Sequence, residues 1–575
     1  MSSWTPVLPD VLRWRDSCNV YAVLGEERAL IVDAGSGEWL AEGLAQLPLP
    51  VDALVLTHYF RDHAAGAAAA ARAGIPVYVP EGERALLADP AEHFRRRETY
   101  VIYDNIWDLF APVEPVPAAG VLRDYERLAL AGVEVQVVPL PGATPTQVGV
   151  VLRTPRSGRL VAFCGETIHS PGRVPRLAPL QYNYDDLGGA VSVAFSVEQL
   201  RGHRVELLLP SLGEPIGQGV DEALVALHEN LLVHSWDREP ESAVLGLVGS
   251  DRVEQLSPSV WRSTQAAAAS HFVVGRSGRA LAIDYGYWYP SGSGAFDTGL
   301  GYEPIVLPAY PFPGRRRPLL HSLDALREQA GVEQLAAVLT THYHDDHVCG
   351  IPLLQRLYGT PCWAPASFAR LLADPAGHRF PCTWPQPIAV ERALALDEPL
   401  EWDGVRFQFA AMSGHTRFSA LIGWEVDGVR YLHAGDQYAL LEGKRASAFK
   451  AQYVYRNGAF LDSYRASAEW IAAFRPDVVV SGHWAPLRTD AAYFERLADY
   501  GREFEQRHRR TMALDDDGAH FGLDSMSGWI WPYRVHLPRP QTVELHADGQ
   551  PFGQVLEALV TVDDPMMRGK RGEAR

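Results

Sequence analysis

The sequence predicts an α/β protein made of two tandem copies of one fold, closed by a small C-terminal β extension. Three observations lead there. The chain has 575 residues, too many for a single hydrophobic core. Short apolar runs alternate with helical stretches along most of its length, the pattern of interleaved strands and helices. A set of landmarks in residues 1–220 returns in the same order in residues 251–512, which marks an internal duplication.

In the first copy, residues 19–24 and 29–32 read as paired strands joined at Gly25-Glu26-Glu27, the second running into Asp33-Ala34-Gly35. Residues 53–56 form the next strand. It enters Thr57-His58-Tyr59-Phe60-Arg61-Asp62-His63 and then an alanine-rich helix. Strands at 133–140 and 148–153 flank Pro141-Gly142-Ala143-Thr144-Pro145, and residues 160–163 run into Gly165-Glu166. Residues 220–234 have the spacing of an amphipathic helix and 236–242 are polar, so residues 221–250 read as a linker.

In the second copy, strands at 272–274 and 280–283 lead to Asp284-Tyr285-Gly286. An insertion over residues 287–318, rich in Gly, Pro, Tyr and Arg, reads as a lid or a docking surface. Residues 335–339 form a buried strand that enters Thr341-His342-Tyr343-His344-Asp345-Asp346-His347, and the apolar stretch 348–357 starts a helix. Ser413-Gly414-His415-Thr416 matches Pro141-Gly142-Ala143-Thr144, and Gly435-Asp436 matches Gly165-Glu166. Ser481-Gly482-His483 falls where Pro210-Ser211-Leu212 stands. The intervals agree: 23 residues from Ala143 to Glu166 against 21 from His415 to Asp436, then 46 to Leu212 against 47 to His483. A long charged helix over 488–512 ends this copy. Residues 513–575 are the extension, with strand character at 529–544, and a terminal tail.

Composition narrows the function classes. Hydrophobic residues make up 47% and charged residues 21%, as in a folded globular chain. A net charge of −18 argues against general nucleic-acid binding. Five scattered cysteines, with no Cys-x-x-Cys pair, argue against a disulfide framework or a thiolate zinc knuckle. The first sixteen residues carry no apolar signal core and no stretch approaches the length of a membrane span, so the expected location is cytoplasmic.

The chemistry concentrates at 342–347. His-x-His-x-Asp-His places four donors of nitrogen and oxygen at a strand-to-helix turn, a mixture that suits a borderline-soft divalent ion such as zinc. Asp284, His342-x-His344-x-Asp346-His347, Gly414-His415-Thr416, Gly435-Asp436 and His483 together resemble the metallo-β-lactamase superfamily. The resemblance implies two tandem αββα sandwiches with metals on loops at one edge of the sheets. It implies that His342, His344 and His415 hold one metal and Asp346, His347 and His483 a second, with Asp436 bridging. Two zinc ions per chain are expected, with iron or manganese as alternatives. His433 is expected to support the ligands rather than to be one.

The first copy departs from this pattern. It keeps His58, Asp62 and His63, with Glu166 at the bridging position, but Phe60, Ala143 and Leu212 stand at three ligand positions. It is expected to be catalytically dead and to persist as the packing partner of the second copy in an intramolecular pseudo-dimer. Homo-oligomers are compatible with this arrangement. The expected activity is hydrolysis of a small-molecule ester, thioester, lactone or amide by a metal-activated hydroxide, with Asp346 orienting the nucleophile. Arg417, Tyr455 and Arg456 are candidate substrate contacts. The alternatives are a phosphodiesterase and a mononuclear iron oxidoreductase of the sulfur-dioxygenase kind.

Overall fold

The computed structural model describes residues 3–90, 112, 114–180, 188–234, 252–287, 317–375, 382–384, 386–439, 450–452 and 462–511. These fall into two compact units that divide near residue 250.

Among the described residues, the first unit holds two sheets. One runs Thr5–Leu8, Val11–Arg15, Asn19–Leu24, Ala29–Val32, Val51–Val55, Val77–Pro80 and Gly120–Leu122, in that spatial order. Its first four strands pair antiparallel and the last three add in parallel. The other is ordered Leu207–Leu209, Leu160–Phe163, Val148–Arg153, Val133–Pro139 and Arg127–Leu130. The second unit repeats the plan. Val253–Ser257, Val260–Ser263, His271–Val274, Ala280–Ile283, Leu335–Leu339, Cys362–Pro365 and Val390–Leu394 form one sheet. Leu400–Trp402, Val405–Ala411, Ala420–Val426, Val429–His433, Val478–Val480 and Leu487–Arg488 form the other.

The duplication extends to register. Ala29–Val32 and Val51–Val55 slip by one residue between Ala29 and Leu30, and Ala280–Ile283 and Leu335–Leu339 slip at the equivalent step, between Ala280 and Leu281. A bulge is a conserved backbone device, so the two copies share geometry as well as motifs.

The inner strands are apolar on both faces because both faces are covered. Asn19–Leu24, Ala29–Val32 and Ala280–Ile283 are buried along their whole length, and such strands read as continuous apolar runs rather than alternating ones. In the second unit, Val273, Leu281, Ile283 and Leu339 from one sheet meet Phe407, Ile422, Trp424 and Val480 from the other. Each such side chain contributes about 1.5–3 kcal/mol by leaving water. On the outer face of the second sheet, Leu421, Leu432 and Val479 pack with Tyr464, Ala468, Ile471 and Leu497 of the helices Ser463–Phe474 and Ala491–Thr511. Each unit is therefore a sheet-on-sheet sandwich with helices outside.

Several expectations are refined. The stretch 348–357 is not one helix start: Asp345–Val348 and Ile351–Tyr358 are separate helices, broken at Cys349-Gly350. The break lets the loop after Ala280–Ile283 reach the chain, since a Cβ on Gly350 would stand 2.4 Å from Tyr285 Cδ1 and 2.6 Å from the Gly286 carbonyl. The last helix begins at Ala491 rather than 488, where Asp490 Oδ1 accepts the Tyr493 backbone N–H at 2.6 Å and caps it. The helix Val220–His234, expected as a linker, packs its Leu224, Leu227 and Leu231 into the first unit. Residues 288–316 of the insertion and the extension from 512 onward lie outside the described residues. Among the described residues, no helix is long and apolar enough to cross a membrane.

Candidate metal centre

In the second unit, every predicted ligand sits where a strand ends. Leu335–Leu339 leads to His342, His344, Asp346 and His347. Val405–Ala411 leads to His415, Val429–His433 to Asp436, and Val478–Val480 to His483. Parallel and antiparallel strands of two sheets deliver four loops to one edge.

The structure brings all seven donors together. Donor atoms of His342, His344 and His415 lie within 4.8 Å of one another, as do those of Asp346, His347, Asp436 and His483. The two sets share Asp436: its Oδ2 lies 2.9 Å from His483 Nε2, 3.1 Å from His347 Nε2, 3.7 Å from His415 Nε2 and 3.9 Å from His342 Nε2. Asp346 Oδ2 lies 3.2 Å from His483 Nε2. His342 and His347 have no exposure, whereas the side chains of Asp346, His415 and His483 keep 11–17% and form the open rim.

The outward ring nitrogens explain why the inward ones converge. His347 Nδ1–H donates to Asp284 Oδ2 at 2.7 Å. His483 Nδ1–H donates to the Ala267 carbonyl at 2.9 Å and His415 Nδ1–H to the Gln452 carbonyl at 3.0 Å. Thr341 Oγ1–H donates to Asp284 Oδ2, so it accepts from His342 Nδ1–H at 3.0 Å. Each bond fixes a ring and leaves an Nε2 lone pair aimed inward when the ring is neutral, the usual support for a metal-binding histidine. Asp284 itself sits at φ 59°, a sparsely populated conformation that turns its carboxylate back toward Thr341. His433 is buried beside this carboxylate, 4.0 Å away, and accepts the Gly435 backbone N–H at 3.0 Å.

The electrostatics divide the set. Burial pushes His342 and His344 well below the ordinary imidazole range, and neighbouring histidines push them further. Burial also lowers His415. Burial opposes charge on His347 and His483 too, but Asp436 and Asp346 overcome it: His347 is held well above its usual value and His483 is raised to about 10. Burial works against Asp346 and Asp436 as carboxylates, yet His347 and His483 hold both below the usual range.

This donor set fits divalent ions. His342 Nε2 and Asp436 Oδ1 are buried with no hydrogen-bond partner, a costly condition unless an ion satisfies them. His344 Nδ1 and His415 Nε2 face each other at 3.1 Å, where two lone pairs need a cation or a proton between them. Space is tight as well: a Cβ on Gly482 would stand 2.6 Å from His347 Cε1 and 2.8 Å from Asp436 Oδ1.

Arg417 lies two residues from His415 and is buried, at 7% exposure. Tyr455 and Arg456 lie outside the described residues. Asp284 appeared in the sequence only as part of a motif, and the fold sets its carboxylate behind His347. Gln437, whose Oε1 accepts the His415 backbone N–H at 2.9 Å, carried no motif signal.

In the first unit, His58, His63 and Glu166 also converge within 4.8 Å. Phe60 and Ala143 are buried beside them in the apolar core, with Leu212 packed against it. A residue absent from the sequence reading completes the arrangement: Arg176 pairs with both Asp62 and Glu166. The available signal was indirect, since two retained acids facing three lost histidines call for a counter-charge.

Comparison with known proteins bears on both units. Residues 13–216 match the family described as Metallo-beta-lactamase superfamily, and residues 310–484 match the Beta-lactamase superfamily domain. The chain is 28% identical over 156 residues to a hydroxyacylglutathione hydrolase of Aeromonas hydrophila subsp. hydrophila, covering 27% of this chain and 47% of that protein. It is 40% identical over 84 residues to a hydroxyacylglutathione hydrolase of Pseudomonas putida (strain W619), covering 14% and 25%. The chain thus spans about half or less of the curated relatives it matches. Among solved structures, a motif mutant of the metallo-β-lactamase from Cronobacter sakazakii aligns with a TM-score of 0.33 and 15% identity, over 41% of this chain and 99% of that one.

Proposed function

Because both halves of this chain belong to the metallo-β-lactamase superfamily, we propose that it is a metal-dependent hydrolase of an acyl-transfer substrate, active in its second copy. The observation that carries this is the convergence of four histidines on the Asp436 carboxylate in the second unit, with His344 and Asp346 completing the two donor groups. His342, His344 and His415 would hold one ion and Asp346, His347 and His483 another, with Asp436 between them; zinc suits this nitrogen-and-oxygen set. Bound ions supply Lewis acidity, which polarises the scissile carbonyl and brings a water's pKa toward neutrality.

The protein's own groups do the rest. His347 is locked by Asp284 and His342 by Thr341, so the donors need little rearrangement. Asp346 stays ionised beside His483 and His347 and remains 17% exposed at the rim. It can accept a hydrogen bond from the attacking water and fix its orientation. The buried floor excludes bulk solvent and strengthens each of these interactions.

Within this class a thioester is the favoured substrate, because the matched relatives carry the name hydroxyacylglutathione hydrolase. Esters, lactones, amides and phosphodiesters complete the panel on which it is to be tested. Turnover on one of them, lost at least 100-fold in His344→Ala and Asp436→Ala while metal content falls, is the expected result. Unchanged turnover in both variants would sink the proposal. One iron per chain with no hydrolysis would favour the oxidoreductase reading.

A further inference from the structure

The first unit has kept half of a metal site and placed an arginine in it. His58 and His63 lie with ring centroids 4.1 Å apart and planes tilted by 50°, against 4.0 Å and 52° for His342 and His347. Both are fully buried, and the Nε2 atom of each makes no hydrogen bond, lying 3.7 and 3.9 Å from Glu166 Oε1. Their outward nitrogens are engaged: His58 Nδ1 with Thr57 Oγ1 at 3.0 Å, as in the second unit, and His63 Nδ1 with Asp62 Oδ1 at 3.0 Å. Both Nε2 atoms therefore face one buried carboxylate.

The Arg176 guanidinium occupies the other side of that carboxylate. Nη2 donates to Asp62 Oδ2 at 2.9 Å and to Glu166 Oε1, and Nε donates to Glu166 Oε2 at 3.2 Å. The guanidinium carbon lies 5.7 Å from the centre of the Phe60 ring, over the residue that replaced a ligand histidine. It thus covers both retained acids and the aromatic substitution at once.

We propose that Arg176 is the resident cation of the first copy, and that it closes a latent single-ion site formed by His58, His63 and Glu166. Two carboxylates side by side, one of them buried, repel unless a cation sits between them. In the second copy His483 faces both of the equivalent acids, Asp436 and Asp346. In the first, the guanidinium takes the same oxygens, and it cannot be deprotonated or removed by a chelator. A divalent ion and Arg176 compete for Glu166, so the arginine excludes metal while keeping the pocket electrostatically closed.

The test is metal stoichiometry on the full chain. Wild type, Arg176→Gln, and Arg176→Gln with His58→Gln are stripped with chelator, reloaded with Co2+ or Zn2+, and desalted. Arg176→Gln is expected to retain one more equivalent per chain than wild type, with an added Co2+ absorption band, and to melt higher with metal than without by a larger margin. The double variant is expected to return to the wild-type count. Both readings are differences from wild type, so they hold whatever number of ions the second copy binds. Equal metal content in Arg176→Gln and wild type overturns the proposal. So does loss of one equivalent on introducing His58→Gln alone into wild type, because that would show the first site already loaded beside its arginine.

Discussion

Replacing Asp284 by Asn tests whether the second site is built from the outside in. Asp284 has no solvent exposure, accepts the Thr341 backbone N–H and hydroxyl at 2.8 Å each, and holds His347 Nδ1 at 2.7 Å. Asparagine has the same shape but only one acceptor oxygen and no charge. If that oxygen keeps the Thr341 backbone N–H, the amide NH2 faces His347 Nδ1–H, donor against donor. His347 then loses its fixed ring orientation and its carboxylate partner. Removing such a support weakens metal binding by about 10–100-fold, equivalent to about 1.4–2.8 kcal/mol. Competition against a chromophoric chelator measures this directly. Asp33→Asn is the matched control, because Asp33 makes the same contacts to Thr57 in the first unit. It is expected to lower the melting temperature without changing the metal content. Metal affinity of Asp284→Asn within twofold of wild type would refute the reasoning.

Three further outcomes are expected. Gly482→Ala, whose Cβ would press on His347 and Asp436 at 2.6 and 2.8 Å, should cost the chain about one equivalent of metal, read by elemental analysis. Metal binding should release protons, because Asp436 and Asp346 raise His347 and His483 above the ordinary imidazole range and both must be neutral to hold an ion; calorimetry in buffers of different ionisation enthalpy reads the release. Glu83 is buried against Thr144 and Thr146 and its carboxyl is raised by burial to about 8, above the ordinary 4.5. The folded form thus binds its proton more tightly than the unfolded one, and the stability this contributes is lost as pH rises from about 4.5 through about 8. Glu83→Gln should flatten that decline in chemical-denaturation curves of the first unit, and a wild-type slope in the variant would count against it.

Much of this architecture was legible because it is written in local pattern. Apolar runs such as 335–339 coincide with the strand Leu335–Leu339, and 220–234 with the helix Val220–His234. Intervals between loops marked the repeat, since two copies of one topology need equal lengths of chain between equivalent turns. The break at Cys349-Gly350 was not legible, because it answers to Tyr285 and Gly286, in a loop far earlier in the chain.

The candidate donor types and their order were set by the sequence alone. Phe60, Ala143 and Leu212 carry no ligand side chain of the kind that His344, His415 and His483 offer, so the asymmetry between the copies needs no coordinates to be seen. What tertiary structure decided is which atoms face which. Only the folded chain puts Asp436 Oδ2 within 4 Å of four imidazoles, sets Asp284 behind His347, and swings Arg176 onto Asp62 and Glu166. The physical reason is range. Strand and helix patterns arise from neighbours in sequence, whereas a buried charge takes its partner from whatever element the fold brings within a few ångströms, and no spacing in the chain records that choice.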